Sequence, residues 1–335
     1  MRVLVTGASG FLGRALVRRL VKEGHAVNAY CRSDDDELRS ITTLTRGDIA
    51  DLQMLLSAGS GCDAVFHVAA MVGAGGRAAD FERTNIQGTR HVIEACQTLS
   101  IDKLIYTSTP SVVHAGGDIE GADESLPYPT TFQADYPRTK AIAEQMVLAA
   151  NSEQLATVAL RPHLIWGPGD TNLVPRILAR AKTGKLRFVG RTPKLVDTTY
   201  IDNAVDAHWN ALCRLSTTSP CAGRAYFIAN GEPVPQPDII NGILKAGGLP
   251  PCDKFISVGL AHAVGAVLEV LYRYLRPTAE PPMTRFLAEQ LSTAHWYDLS
   301  AARRDLGYSP AVSVEQGLRR LADALSSRRP SPNRD

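Results

Sequence analysis

Short runs of apolar and β-branched residues, separated by stretches with helical spacing, recur through the first half of the chain. Runs at 2–6, 26–30, 64–68, 103–107 and 157–161 are apolar at consecutive rather than alternate positions, as strands are when helices cover both faces of a parallel sheet. Between the first two, residues 11–23 place Leu12, Ala15, Leu16 and Leu20 on one helical face and stop at Gly24, a residue suited to a helix C-terminus. The order strand, glycine turn, helix, strand predicts an α/β fold built on a doubly wound parallel sheet of Rossmann type. After about residue 165 the alternation loosens, "GPGD", "NGEPVPQP" and "GGLPP" break the chain, and mainly helical spacing follows. The expected organisation is a nucleotide-binding core at 1–165, a smaller and mainly helical substrate-binding subdomain at 166–325 with some segments returning to the core, and a disordered tail, "SSRRPSPNRD", at 326–335.

Composition narrows the function. With 335 residues, 44% of them hydrophobic, the chain can bury a large core. A net charge of +2 with dispersed basic residues argues against a nucleic-acid partner. The six cysteines form no CxxC pair and no metal-ligand spacing, which predicts reduced thiols in a cytoplasmic protein and no metal. The N-terminus, MRVLVTGASG, lacks the cationic start and long apolar run of a signal peptide. His67, His114 and His163 pair with no acid or cysteine at zinc spacing and are read as structural or substrate-lining. No GxSxG elbow is present, so a Ser/His/Asp hydrolase is excluded.

In "VTGASGFLG" the glycines at 7, 10 and 13 follow a strand and open a helix, where the backbone can approach a pyrophosphate and the helix N-terminus favours its charge. The predicted second strand runs into Cys31-Arg32-Ser33, with no acid where an adenosine ribose would be bound. Arg32 there suits a 2′-phosphate, which favours NADP(H) over NAD(H); the other reading is a solvated loop arginine, with Asp34 to Asp36 close behind. Further on, Tyr136 and Lys140 in "ADYPRTKAIAEQ" stand one helical turn apart, and Pro137 fits a helix's first turn. At that spacing the lysine can lower the tyrosine's pKa and bind a nicotinamide ribose, which suits proton transfer at neutral pH.

TGxxGFxG, the hydroxyl-rich strand end "LIYTSTPSVVH", YxxxK and "RPHLIWGPGD" occur in the order found in the 3β-hydroxysteroid dehydrogenase-like branch of the extended short-chain dehydrogenase/reductases, which the whole chain resembles. The resemblance implies an NAD(P)-dependent oxidoreductase acting on CH–OH or C=O. It places Tyr136 as proton donor, Lys140 as its partner, and Thr109 as the carbonyl-polarising hydroxyl with Ser108 one position before. Which hydroxyl acts stays open, although alternation along a strand argues that both should not face the substrate. The implied cofactor contacts are Gly7, Ser9, Gly10, Phe11, Leu12, Gly13, Arg32, Asp48, Ile49, Ala69, Ala70, Thr107, Tyr136, Lys140 and Pro162. Asn85 joins them as the family asparagine that holds a helix kink and a proton-relay water, or is an ordinary helix-cap amide.

Further phrases, among them "LATVALRPHLIWGPGD" and "TRFLAEQLSTAHWY", are similar to bacterial reductases that use NADPH on long, α-branched β-keto acids in long-chain olefin formation. That likeness implies a β-lactone synthetase acting on the product, assembly with such enzymes, and a homodimer packed through two helices per subunit. The alternatives are a 3β-hydroxysteroid or sterol-4-carboxylate 3-dehydrogenase, and a dinucleotide-binding sensor without catalysis. Residues 255–275 are mostly apolar but carry His262, Glu269 and Arg273, which argues against a membrane span. Three readings remain for them: contact with a membrane surface, the wall of an apolar substrate pocket, or an ordinary buried helix.

Overall fold

The computed structural model describes residues 1–73, 75–275 and 279–327, with Arg273 described only in its backbone. The first half alternates as its apolar runs predict. It contains β1 (Arg2–Thr6), α1 (Phe11–Lys22), β2 (Ala26–Cys31), α2 (Asp36–Ile41), β3 (Thr43–Arg46), α3 (Leu52–Gly59) and β4 (Ala64–His67). It continues with α4 (Ala78–Phe81), α5 (Gly88–Thr98), β5 (Lys103–Thr107), β6 (Ile119–Ala122), α6 (Asp135–Ala149) and β7 (Ala156–Pro162). α1 buries Leu12, Leu16 and Leu20 and ends at Gly24, whose φ of 81° is the left-handed conformation that closes helices. β2 and β7 run slightly beyond the predicted limits, and β4 stops one residue short.

In the second half come β8 (Ile165–Trp166), α7 (Leu173–Lys182), β9 (Phe188–Val189), β10 (Leu195–Val196), β11 (Thr199–Tyr200) and α8 (Ile201–Arg214). Then follow β12 (Arg224–Ile228), β13 (Val234–Pro235), α9 (Gln236–Ala246), β14 (Phe255–Ile256), α10 (Val258–Leu275), α11 (Arg285–Ser292), β15 (His295–Tyr297), α12 (Ser300–Leu306) and α13 (Val314–Ser327).

A seven-stranded sheet in the order β12-β7-β5-β4-β1-β2-β3, parallel at every pairing, carries the core. The first 165 residues supply six of these strands; β12 returns late to cover β7, every residue of which is buried. α8 also returns, packing on α1. Register aligns Thr6 of β1 with His67 of β4, and Thr107 of β5 with Leu160 of β7, so polar strand ends converge on one edge. That edge is where a doubly wound sheet offers a crevice. A smaller four-stranded sheet, β13-β10-β15-β6, joins both halves of the chain beside it.

Two expectations change here. Ser326 and Ser327 complete α13 instead of opening a disordered tail, and residues 328–335 lie outside the described residues. α10 is not a buried helix: Ala261 and Gly265 are buried, whereas Leu260, Val264, Val267 and Tyr274 are exposed. Its inner residues Glu269 and Tyr272 line a minor cavity of about 410 Å³. Among the described residues no helix is long and apolar enough to cross a membrane. All six cysteines are free thiols.

Candidate active site

β1 ends at Thr6 and the chain turns at Gly7, where φ is 70° and a Cβ would lie 2.7 Å from the Ala69 backbone. A Cβ on Gly13 would lie 2.2 Å from the Gly7 carbonyl oxygen, and Gly10 N–H donates to that same oxygen at 3.0 Å. The turn can therefore close only on glycine. Gly10 precedes α1 without a side-chain cap, which leaves the helix's first N–H groups open to an anion. The turn floors one end of a cleft of about 960 Å³. These features fit a dinucleotide lying with its pyrophosphate at α1.

Ser9, Gly10, Phe11, Leu12 and Gly13 line this end, with Arg32, Asp48, Ile49, Ala69 and Ala70. Arg32 is exposed and, among the described residues, has no ion-pair partner. The neighbouring acids are engaged elsewhere: Asp35 holds Arg14 and caps α2 through Leu38 N–H, while Asp34 pairs with Arg39 and Arg46. Asp48 accepts from Ala50 N–H at 2.9 Å and Arg83 Nη1 at 2.8 Å. Partial burial pushes its carboxyl up, but these donors outweigh that and hold it below the usual range.

Thr107, Ser108, Thr109, Tyr136, Lys140 and Pro162 line the middle of the same cleft. β5 ends at Thr107, and both Ser108 and Thr109 border the cleft, Ser108 with its hydroxyl buried. They differ in partners. Thr109 Oγ1 donates to Ser111 at 3.2 Å and draws the Tyr136 phenol down, whereas among the described residues Ser108 Oγ is buried with no hydrogen-bond partner. The structure thus sets Thr109, rather than Ser108, beside the tyrosine.

Tyr136 sits in the first turn of α6, with Pro137 next to it. Burial pushes its phenol above the ordinary value and the Thr109 hydrogen bond draws it back. Lys140 is not the group that lowers it in this structure. Its Nζ donates to the Thr107 carbonyl at 2.6 Å and lies 4.1 Å over the Tyr106 ring. Burial pulls the Lys140 ammonium down to about 7, with the Glu144 carboxylate acting the other way. An ammonium poised there can exchange a proton at neutral pH.

Asn85 does not line the cleft, so its expected cofactor contact is corrected. It is buried within a wide π-helical turn, Glu82–Gln87, and is no helix cap. Its amide nitrogen donates to Thr139 Oγ1 at 3.0 Å and to the Met71 carbonyl at 3.1 Å, and its oxygen accepts from Met71 N–H at 2.8 Å. Asn85 therefore fastens the loop below the cleft to the helix of Tyr136.

His67 is structural: it bridges Thr6 and Thr89 at 2.8 and 2.9 Å, and burial lowers its pKa to about 3. His163 reaches the cleft wall, bonds the Asp197 carbonyl at 2.5 Å and is held neutral by burial near 4. His114 lies tilted against His295, ring centres 4.9 Å apart, and both its ring nitrogens are buried without partners among the described residues. Among the described residues no group of His, Cys, Asp or Glu is placed to hold a metal ion. Sequence reading missed the far wall, formed by Leu164, Arg176, Phe286, Leu287 and Gln290. Their sequence separation hid them, though "GPGD" signalled the turn in which Asp170 accepts from Asn172 and Val174 N–H to start α7.

Residues 4–255 match the 3-beta hydroxysteroid dehydrogenase/isomerase family. The 2-alkyl-3-oxoalkanoate reductase of Stenotrophomonas maltophilia (strain K279a) is 55% identical over 325 residues, covering 96% of this chain and 98% of that protein. Sterol-4-alpha-carboxylate 3-dehydrogenase, decarboxylating, of Homo sapiens is 33% identical over 332 residues, 97% of this chain and 88% of that one. The solved UDP-glucose 4-epimerase of Thermus thermophilus, in complex with NAD, shares the fold, with a TM-score of 0.74 at 21% identity over 98% of this chain and 100% of the other. The chain belongs to the 3-beta hydroxysteroid dehydrogenase/isomerase family, within the extended short-chain dehydrogenase/reductases, and is an NAD(P)-dependent oxidoreductase.

Proposed function

We propose that the protein uses NADPH to reduce the ketone of a long-chain 2-alkyl-3-oxoalkanoate to the 2-alkyl-3-hydroxyalkanoate. The observation that carries the reading is the 55% identity to the Stenotrophomonas reductase across nearly both chains, joined to a cleft that keeps Thr109, Tyr136 and Lys140 together. The cleft from the glycine turn to Lys140 would hold NADPH, which would supply the hydride for the carbonyl carbon. Thr109 and Tyr136 donate hydrogen bonds to the ketone oxygen, and Tyr136 gives up its proton as that oxygen gains charge. Lys140, balanced between ammonium and amine and anchored on the Thr107 carbonyl, would hold the nicotinamide ribose and serve as a proton store near the cleft.

Preference for NADPH rests on Arg32, exposed at the adenosine end while the nearby Asp34 and Asp35 are occupied by other arginines. A guanidinium there matches a 2′-phosphate. The product would pass to a β-lactone-forming enzyme of olefin biosynthesis. A sterol-4-carboxylate dehydrogenase is the second reading, favoured by the 33% identical human relative, since a 3-keto acid and a 3-keto-4-carboxy sterol present similar groups. The test supplies NADPH with a synthetic 2-alkyl-3-ketoacid or a 3-ketosteroid and follows nicotinamide absorbance. Turnover of the keto acid is expected. Turnover of the steroid alone would reverse the ranking, and NADPH binding without turnover of either would make the protein a sensor.

A further inference from the structure

We infer that the outer face of α10, with the basic segment beside it, is a docking surface for an anionic lipid bilayer. The inference concerns the surface and stands whatever ketone the cleft accepts. Two of the ionisable side chains that interrupt α10 in sequence turn inward in the fold: His262 pairs with Glu289 at 3.4 Å and Glu269 with Arg285 at 2.8 Å, both partners on α11. Ala261 and Gly265 let the two helices meet closely; a Cβ on Gly265 would lie 2.6 Å from the Thr284 carbonyl carbon. What remains outside is an apolar ridge of Leu260, Val264, Val267, Leu271, Tyr274 and Leu275 along a helix of 18 residues, with Val267 66% and Tyr274 77% exposed. Soluble chains seldom leave such a continuous ridge in water without a partner. A helix of this kind lies in a membrane interface with its apolar side down and its tyrosines at headgroup level.

Charge selects the partner. Residues 173–195 hold seven lysines and arginines and no acidic residue. β9 in this segment pairs with β14, and Gly190 approaches Val258, so the segment lies against the start of α10. Lys182, Lys185, Arg191 and Lys254 are exposed there, with Asp253 as the neighbouring carboxylate. A cationic rim beside an apolar ridge matches anionic headgroups over acyl chains. On its inner side the same helix pair roofs the cleft through Phe286, Leu287 and Gln290, which places the bilayer next to a route for an apolar substrate.

The test is flotation of the full chain with vesicles of phosphatidylcholine, alone or mixed with phosphatidylglycerol. Wild type is expected to float with the anionic vesicles at least about tenfold more than with neutral ones. V267E/L271E, which alters only exposed positions, should stay soluble with an unchanged thermal midpoint, and K185E/R191E/K254E should lose the preference for anionic lipid. The proposal is overturned if wild type stays soluble with both vesicle types, or if V267E/L271E floats as well as wild type. It is equally overturned if a non-floating wild type forms an assembly that V267E/L271E dissolves, which would assign the face to a second copy of the chain.

Discussion

Glu144 stands one helical turn beyond Lys140 and is fully buried. Its carboxylate accepts from Arg161 Nη2 at 2.6 Å, Arg161 Nε at 3.0 Å and the Tyr128 hydroxyl at 2.6 Å, tying α6 to β7. Glu144→Gln keeps the volume and removes the charge, leaving the buried Arg161 guanidinium uncompensated. Such a loss costs about 3–5 kcal/mol, against less than about 1 kcal/mol for an exposed pair. With a urea slope of about 3 kcal/mol/M, the unfolding midpoint should fall by about 1–1.7 M. The double variant E144L/R161M should recover most of that, because it removes both charges.

The same substitution should reach the chemistry. The Glu144 field supports the Lys140 ammonium, so in Glu144→Gln the ammonium is lost at a pH below about 7 and the alkaline limb of turnover moves to lower pH. The sign for stability is separate: the folded value lies below the unfolded 10.5, so Lys140 opposes folding at neutral pH and below, an opposition that fades as pH rises from about 7 to 10.5. A midpoint within about 0.3 M of wild type would refute the stability argument, which requires a shift several times larger.

Tyr136→Phe should lower the chemical step by at least about 100-fold while fluorescence titration still shows NADPH binding. Thr109→Ala should cost a similar factor of about 100 in kcat and Ser108→Ala only a few-fold; the reverse order would move the carbonyl contact to Ser108. Arg32→Ala should reduce the NADPH-to-NADH preference, measured as a ratio of kcat/KM, by about 10- to 100-fold through loss of charge-assisted hydrogen bonds. Gly13→Ala should abolish measurable cofactor binding, since the added methyl would displace the Gly7 carbonyl; normal NADPH titration would mean that the turn opens more easily than its contacts suggest.

The sheet and its glycine turn were legible because their signals are local. A strand buried on both faces is apolar at most positions, and a turn in which a Cβ meets a carbonyl at 2.2 Å accepts only glycine. Tyr136 and Lys140 were legible because helical periodicity fixes their spacing. What each side chain touches was not. Lys140 reaches back to Thr107, and Asn85 spans from a π-helical turn to Met71 and Thr139, through contacts that exist only once α6 is docked. His262 and Glu269 of α10 read as interruptions of an apolar run because their partners on α11 come later in the chain.

The late arrival of β12 bears on how the protein is made. Until residue 228 has been synthesised, β7 presents an apolar strand with one unpaired backbone edge, the kind of edge that recruits other strands. A fragment ending at 165 would keep that edge permanently, so the nucleotide-binding half should be aggregation-prone when cut from the remainder. The second half of the chain, besides shaping the substrate side, acts as the cover that lets the first half stay dispersed in water.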